Sequence, residues 1–288
     1  MTETTYNEKK LAKDALWAAG AGVAGGYLGA GALSPFALKG MRRSPVDHRQ
    51  ALGELATMAG RLGIRGEVGT INLDDEFYRP LARLGPAMYP GSMAKNLRRE
   101  AANLGRRIAG GDADPIIGLY GRAGSNTSRF VAAHELGHLA ATKGKLGLVA
   151  RALHSTPVSY VARTLGIPGA AVAGAALGLA EPGEEGAQFR RAAGVAALAP
   201  AALLGAEAAA DWGAVRALAG SGGTTPVKTF GREWRRALRD YVPRRAPSAA
   251  TYLAGTTIPM AVAFGLGRRA RNRRNAASDV QQPEPEKG

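Results

Sequence analysis

The sequence contains no cysteine, so disulfide bonds and thiolate metal ligands are excluded and nothing indicates an oxidising compartment. Histidine is scarce, with 4 residues in 288, and the 23 acidic residues are outnumbered by 38 lysines and arginines. The resulting net charge of +15 suits anionic lipid surfaces or nucleic acid. The chain is instead rich in alanine and contains 40 glycines. Such small residues favour the close helix packing of membrane bundles.

Two of the four histidines stand in the stretch His134-Glu135-Leu136-Gly137-His138, which small apolar residues flank on both sides. Because residues four apart lie on one face of a helix, His134 and His138 can direct two imidazoles at one metal ion. Imidazole pairs suit zinc, and a catalytic zinc needs a third protein ligand. Glu135 can accept a proton from a water molecule that the metal activates. The alternative is a chance match, or two ordinary core histidines.

The third ligand does not lie six residues after the second histidine, where metzincins place a histidine, because that position is Gly144. A later stretch offers Glu207 and Asp211, four apart on one face of an alanine-rich helix. Burying such an acidic pair is costly unless a cation or a donor lies against it. We therefore predict Glu207 as the third ligand and Asp211 as the group that orients a ligating histidine through its other ring nitrogen. The alternative is a solvated pair at a helix end.

An HELGH helix followed by a helix with the pattern E-x-x-A-D-x-x-A resembles the HtpX and prenyl-protease type of membrane gluzincin. The chain is more similar to the YugP-like neutral zinc metallopeptidases of bacterial membranes. That likeness runs from Asp114–Tyr120, through Ser128–His134, to the Glu207 helix and the apolar segment after it. The resemblance implies an integral membrane zinc peptidase that holds Zn²⁺ with His134, His138 and Glu207 and uses Glu135 as the base.

The fold that we expect is mainly α-helical and embedded in a membrane, with a small β element beside the HExxH helix. Pro115–Tyr120 predicts a short strand, which we expect to be a sheet edge that binds substrate as an added strand. Ala15–Leu38 is an uncharged run of 24 residues, long enough to cross a bilayer. Thr164–Ala180 and Ala192–Ala206 predict a helical hairpin that returns Glu207 to the metal helix, and Ala249–Gly267 is a last apolar helix.

Composition changes along the chain divide it into six segments. Lysine and arginine are abundant in residues 39–163 and 216–245, which predicts that the active-site side faces the cytoplasm. The predicted segments are 1–38, a tail and apolar anchor; 39–155, the catalytic region; 156–206, the apolar hairpin; 207–248, the Glu-ligand helix and a basic amphipathic region; 249–267, the C-terminal apolar helix; and 268–288, a disordered basic and polar tail.

These features together predict a zinc metalloendopeptidase of the cell membrane, with protein or peptide substrates, membrane lipids as partners and no specific nucleic acid. The competing hypothesis is a non-enzymatic structural or assembly protein of a membrane, virion or envelope, with a vestigial or structural metal site. A weaker one is nucleic-acid binding through the arginine clusters. A donor that stabilises the oxyanion of the reaction is also expected. The candidates for it are His154, Tyr160, Arg216 and Tyr252.

Overall fold

The computed structural model describes residues 3–41, 48–64, 68–82, 87–89, 91–108, 116–119, 129–143, 156–219 and 231–280. Over these residues the chain is mainly helical with one three-stranded sheet, which confirms the predicted fold class at that level. A 3₁₀ turn (Glu76–Tyr78) precedes the third helix. The helices are α1 (Glu3–Met41), α2 (His48–Arg61), α3 (Arg79–Ala82), α4 (Ser92–Asn103), α5 (Arg129–Lys143), α6 (Thr156–Leu179), α7 (Glu184–Ala196), α8 (Leu198–Ala219) and α9 (Arg232–Val280); the strands are β1 (Gly69–Asn72), β2 (Ala87–Tyr89) and β3 (Ile116–Leu119).

The chain divides into two compact units, and four helices, α1, α6, α8 and α9, contribute to both. One, the helical unit, consists of Met1–Leu33, Tyr160–Leu204 and Thr251–Gly288. The other, the sheet unit, consists of Ser34–Ser159 and Gly205–Ala250. The sheet unit therefore holds β1, β2, β3 and α5, together with the second part of α8 and the first part of α9.

Small residues let the helices of the helical unit approach closely. Ala18 on α1, Ala171 and Ala175 on α6 and Ala263 on α9 form one buried cluster. A Cβ atom added to Gly174 would lie 2.1 Å from the carbonyl oxygen of Met260, so only glycine permits this backbone approach. This is the packing that the high glycine and alanine content predicts.

Two helical segments are long and apolar enough to cross a membrane. They are Glu184–Ala219, which joins α7 and α8 and has a mean hydropathy of 1.5, and Arg232–Ala277 on α9, with a mean hydropathy of 1.3. Only 17% and 22% of their apolar windows are buried, which is unlike the core helix of a soluble protein. The apolar part of α6, Thr164–Leu179, is shorter. The predicted anchor Ala15–Leu38 is helical within α1 but is not among these two segments, and its last side chains lie outside the described residues.

The C-terminal tail, predicted to be disordered from residue 268 onwards, is helical as far as Val280, so this prediction is wrong for residues 268–280. The helix continues because arginine and alanine, which dominate this stretch, are good helix formers. Arg271 also donates to the carbonyl oxygen of Ala180 at 2.6 Å, and Arg274 pairs with Glu181. These partners lie just after the end of α6, too far away in sequence for composition to reveal them. Residues 281–288 lie outside the described residues.

The sheet has the order β1-β3-β2, so the strand predicted as a sheet edge is its central strand. β3 pairs in parallel with β1 and antiparallel with β2, and all four of its residues are buried. A continuous apolar run such as Ile116–Leu119 is typical of a strand with neighbours on both sides and cover on both faces. The prediction failed because β1 and β2 lie in a segment where the sequence shows no strand pattern. β3 cannot receive substrate as an added strand; the edges belong to β1 and β2.

The main core of the sheet unit surrounds α5. It joins Leu55 and Met58 of α2, Ile117 of β3 and Leu136 of α5 with buried residues of α8 and α9, including Tyr241. The ring of Phe130, near the start of α5, is also buried there, with the guanidinium of Arg244 lying 4.4 Å above its centroid. The α5 helix is therefore packed on several sides, which fixes the direction of its polar side chains.

Candidate metal centre

The centre is created by a close crossing of α5 and α8. A Cβ atom on Gly137 would lie 2.0 Å from the carbonyl oxygen of Ala210, and one on Gly213 would lie 2.5 Å from the Cα atom of Gly137. The two backbones therefore meet with no side chain between them. His134 and His138 flank Gly137 on α5, and Glu207 and Asp211 flank Ala210 on α8, so the crossing brings the imidazoles and the carboxylates together.

His134, His138 and Glu207 form a buried group whose three ligand atoms all lie within 4.8 Å of one another. His134 Nε2 is 3.2 Å from Glu207 Oε2, and His138 Nε2 is 3.9 Å from Glu207 Oε1. Two ligands about 2.1 Å from a tetrahedral ion are about 3.4 Å apart, which is close to these distances. The exposed fractions of the three residues are 7–8%. The group could therefore bind a metal ion, and its donor atoms fit one.

Asp211 and Tyr241 orient the ring of His134. The Nδ1 atom lies 2.9 Å from Asp211 Oδ1 and 3.2 Å from the Tyr241 hydroxyl, which itself donates to Asp211 Oδ1 at 2.6 Å. Because a carboxylate only accepts hydrogen bonds, Nδ1 carries the proton and Nε2 is left for a metal. Burial acts to lower the pKa of His134, but the hydrogen bonds with Asp211 and Glu207 raise it to about 9. A metal ion would have to displace the second ring proton.

Sequence reasoning missed two residues of this centre: Tyr241, described above, and Arg245. Its Nη2 donates to Glu207 Oε2 at 2.6 Å and its Nε donates to Asp211 Oδ1 at 2.7 Å, while Nη1 contacts Ser248 Oγ. Its side chain is 7% exposed. The sequence holds 38 lysines and arginines, and nothing local distinguishes this one. The available signal was spacing, because Tyr241 and Arg245 are four residues apart. The histidine pair on α5 and the acidic pair on α8 have the same spacing.

Formal charges also favour a cation. Glu207 and Glu135 are buried, with 7% and 8% of their surfaces exposed, and the side chain of Asp211 is 28% exposed. Glu207 and Asp211 share one arginine, so these three groups carry an excess of one negative charge when the histidines are neutral. Burying uncompensated charge is costly, and a bound cation would offset the excess. The acidic pair on α8 is therefore not a solvated pair at a helix end.

Of the four predicted oxyanion donors, Arg216 is the one that shares both a helix and a unit with a residue of the metal group. Arg216 is nine residues beyond Glu207 on α8, or about two and a half turns, so it lies on the opposite side of the helix. Tyr252 is an exposed residue of the helical unit. The side chain of Tyr160 and the whole of His154 lie outside the described residues.

A cavity of about 590 Å³ lies in the sheet unit at the N-terminal end of α5. Charged residues of both signs line it, among them Arg61, Arg129, Arg236 and Asp240. The described residues that line it include none of the metal group.

Comparisons with known proteins give no match: no protein-family model, no curated protein sequence and no solved structure is similar to this chain. The resemblance to YugP-like metallopeptidases therefore rests on the motif residues alone. What the chain does has to be argued from the geometry and chemistry of the centre itself.

Proposed function

We propose that this chain is a zinc-dependent metalloendopeptidase associated with a membrane, of the gluzincin type. The observation that carries the proposal is the buried group of His134, His138 and Glu207, with a further buried carboxylate, Glu135, next to the first histidine. Two histidines and one glutamate are the ligands of zinc peptidases such as thermolysin, whereas structural zinc sites have four protein ligands and are rich in cysteine. A carboxylate next to a ligand has no use in a purely structural site, but a hydrolase needs one as its base.

Each residue of the centre has a role in this proposal. Zinc, when bound, would polarise the scissile carbonyl and lower the pKa of a water molecule. His134, His138 and Glu207 would hold the ion, and Asp211 keeps His134 in the tautomer whose Nε2 is free to ligate. The Glu135 carboxylate would accept the proton of the attacking water and pass it to the leaving amine. Burial of these side chains limits the access of bulk water and strengthens their electrostatic interactions.

The membrane part of the proposal is supported by the two apolar helical segments, whose apolar side chains are mostly exposed. Leu198 is 66% exposed and Val195 is 70% exposed, and exposed apolar side chains on long helices suit contact with lipid. The lysines and arginines of residues 39–163 and 216–245 favour a cytoplasmic active site. Substrates would be proteins or peptides that reach the membrane surface.

The test of the proposed function is the Glu135→Gln variant, which keeps the shape of the side chain but removes its basic carboxylate. We expect hydrolysis of a quenched fluorescent peptide library by detergent-purified protein to fall at least 100-fold, the usual scale of general-base catalysis being about 10²–10⁴-fold. Zinc content, measured on the same samples, should not change. Hydrolysis that survives in the variant would contradict the mechanism. Stoichiometric metal without hydrolysis of any peptide by the wild-type protein would favour a structural site.

A further inference from the structure

We infer that Arg245 is a positioning residue of the metal centre: it ties Glu207 to Asp211 and restricts Glu207 to binding the ion through one carboxylate oxygen. The inference rests on the proposed function, since it assigns Glu207 as a ligand. It concerns a residue that neither the HExxH motif nor the distal glutamate pattern includes.

The contacts of Arg245 leave it little freedom. Its guanidinium donates to Glu207 Oε2 at 2.6 Å and to Asp211 Oδ1 at 2.7 Å, and Ser248 Oγ occupies a third nitrogen. Hydrogen bonds between ionised groups are short and about twice as strong as neutral ones. Because the guanidinium is a planar, rigid fork, one side chain can fix two carboxylates at once. Glu207 is therefore held in its orientation by a residue of α9.

The consequence for the metal follows from the two oxygens of Glu207. A carboxylate that binds an ion through both oxygens uses two coordination positions, whereas a catalytic zinc needs one position free for water. Arg245 donates a hydrogen bond to Oε2, which occupies one of the lone pairs of this oxygen. This contact disfavours binding of both Glu207 oxygens to an ion near His134 and His138. One-oxygen binding by Glu207 would leave a position for water on a zinc ion held by His134, His138 and Glu207.

Electrostatics and positioning predict opposite effects of removing Arg245. A positive charge beside a cation site repels the cation, so by Coulomb's law alone its removal would tighten metal binding. If Arg245 positions Glu207, its removal takes away the donor that holds Glu207 Oε2 in place, so the ligand is released and metal binding weakens. The direction of the change in affinity therefore separates the two possibilities.

The experiment compares the wild-type protein with Arg245→Met, Arg245→Lys and, as a matched control, Arg239→Met. Arg239 lies on the same helix as Arg245, and its side chain is 78% exposed. The zinc dissociation constant is measured by competition with a chromophoric chelator, and Co²⁺ is used as a visible-absorption probe of coordination number. Circular dichroism checks that each variant folds. If Arg245→Met does not fold, Arg245→Lys, which keeps the positive charge, still tests the inference.

We expect both Arg245 variants to bind zinc about 10–100-fold more weakly, the scale found for groups that orient metal ligands. Their Co²⁺ absorption should also be several-fold weaker than in the wild type, because a higher coordination number lowers it. Arg239→Met should keep the wild-type zinc affinity and Co²⁺ spectrum. Tighter zinc binding in Arg245→Met, or wild-type affinity and spectrum in Arg245→Lys, would overturn the inference while leaving the proposed function intact. Absence of metal binding by the wild-type protein would instead overturn the proposed function, and this inference with it.

Discussion

At the residue scale, His134 is the side chain on which the contacts of the centre converge. One ring nitrogen faces Glu207 Oε2 at 3.2 Å, and the other faces Asp211 at 2.9 Å and Tyr241 at 3.2 Å. These neighbours therefore decide which ring nitrogen carries the proton and which one is available to a metal. A histidine fixed in this way is prepared to ligate a metal through Nε2 without a change of tautomer.

Replacing Asp211 with asparagine tests this orientation. The amide still accepts one hydrogen bond, but it loses the charge that holds the proton on Nδ1 and places an N–H group among the donors of Tyr241 and Arg245. We expect the zinc dissociation constant to rise about 10–100-fold, with helix content by circular dichroism unchanged. A variant that binds zinc as tightly as the wild-type protein would show that Asp211 does not orient the ring.

At the element scale, the approach of α5 to α8 is what assembles the centre. Gly137 lies within HELGH at the point of contact with Ala210 and Gly213, so the middle of the motif serves packing while its ends carry the chemistry. A side chain at this position would meet backbone atoms, which cannot rotate away. The geometry of the metal group therefore depends on a residue that binds nothing.

Substituting Gly137 with alanine should push the two helices apart. The added Cβ would lie 2.0 Å from a backbone oxygen, and overpacking of this kind costs about 1–3 kcal/mol or more. We expect a lower midpoint of thermal unfolding and weaker zinc binding. The control is Gly60→Ala on α2, where nothing lies within 4 Å and alanine should stabilise the helix by up to about 1 kcal/mol. Equal behaviour of the two variants would show that the crossing tolerates a side chain.

The parts of the structure that sequence reasoning could reach are those set by local spacing. His134 and His138, or Glu207 and Asp211, share a helix face because they are four apart, and the cost of burying two carboxylates pointed to a common partner. The position of β3 could not be derived, because Gly69 and Ile116 pair across a separation of 47 residues and their register is a long-range property. Arg245 was missed for the same reason, since its partners lie 38 and 34 residues away on another helix.

At the scale of the whole molecule, the net charge and the apolar helices point to two different modes of membrane binding. The net charge of +15 would attract the chain to anionic lipid by electrostatics alone, whereas two long apolar helical segments, mostly unburied, suit insertion into the bilayer. These modes differ in their response to salt, because ionic screening weakens surface attraction and leaves burial of apolar side chains intact. The metal residues themselves all belong to the sheet unit.

Membrane extraction distinguishes insertion from surface binding. We expect the protein to sediment with membranes after washes with 1 M salt and with alkaline carbonate, and to be released by detergent. The reason is that two apolar helices of this length remain in the hydrocarbon layer when electrostatic attraction is screened. Release by salt alone would mean that the basic surface, rather than the apolar helices, holds the chain at the membrane.

The zinc content of detergent-purified protein, compared between the wild type and Glu207→Ala, tests the central claim most directly. The control is Glu184→Ala, which removes an exposed carboxylate from the start of α7. We predict about one zinc per chain in the wild type and in the control, and little or none in Glu207→Ala, because two histidines alone hold zinc weakly. Equal zinc in all three proteins would contradict the assignment of Glu207 as a ligand, and no zinc in any of them would contradict the metal centre itself.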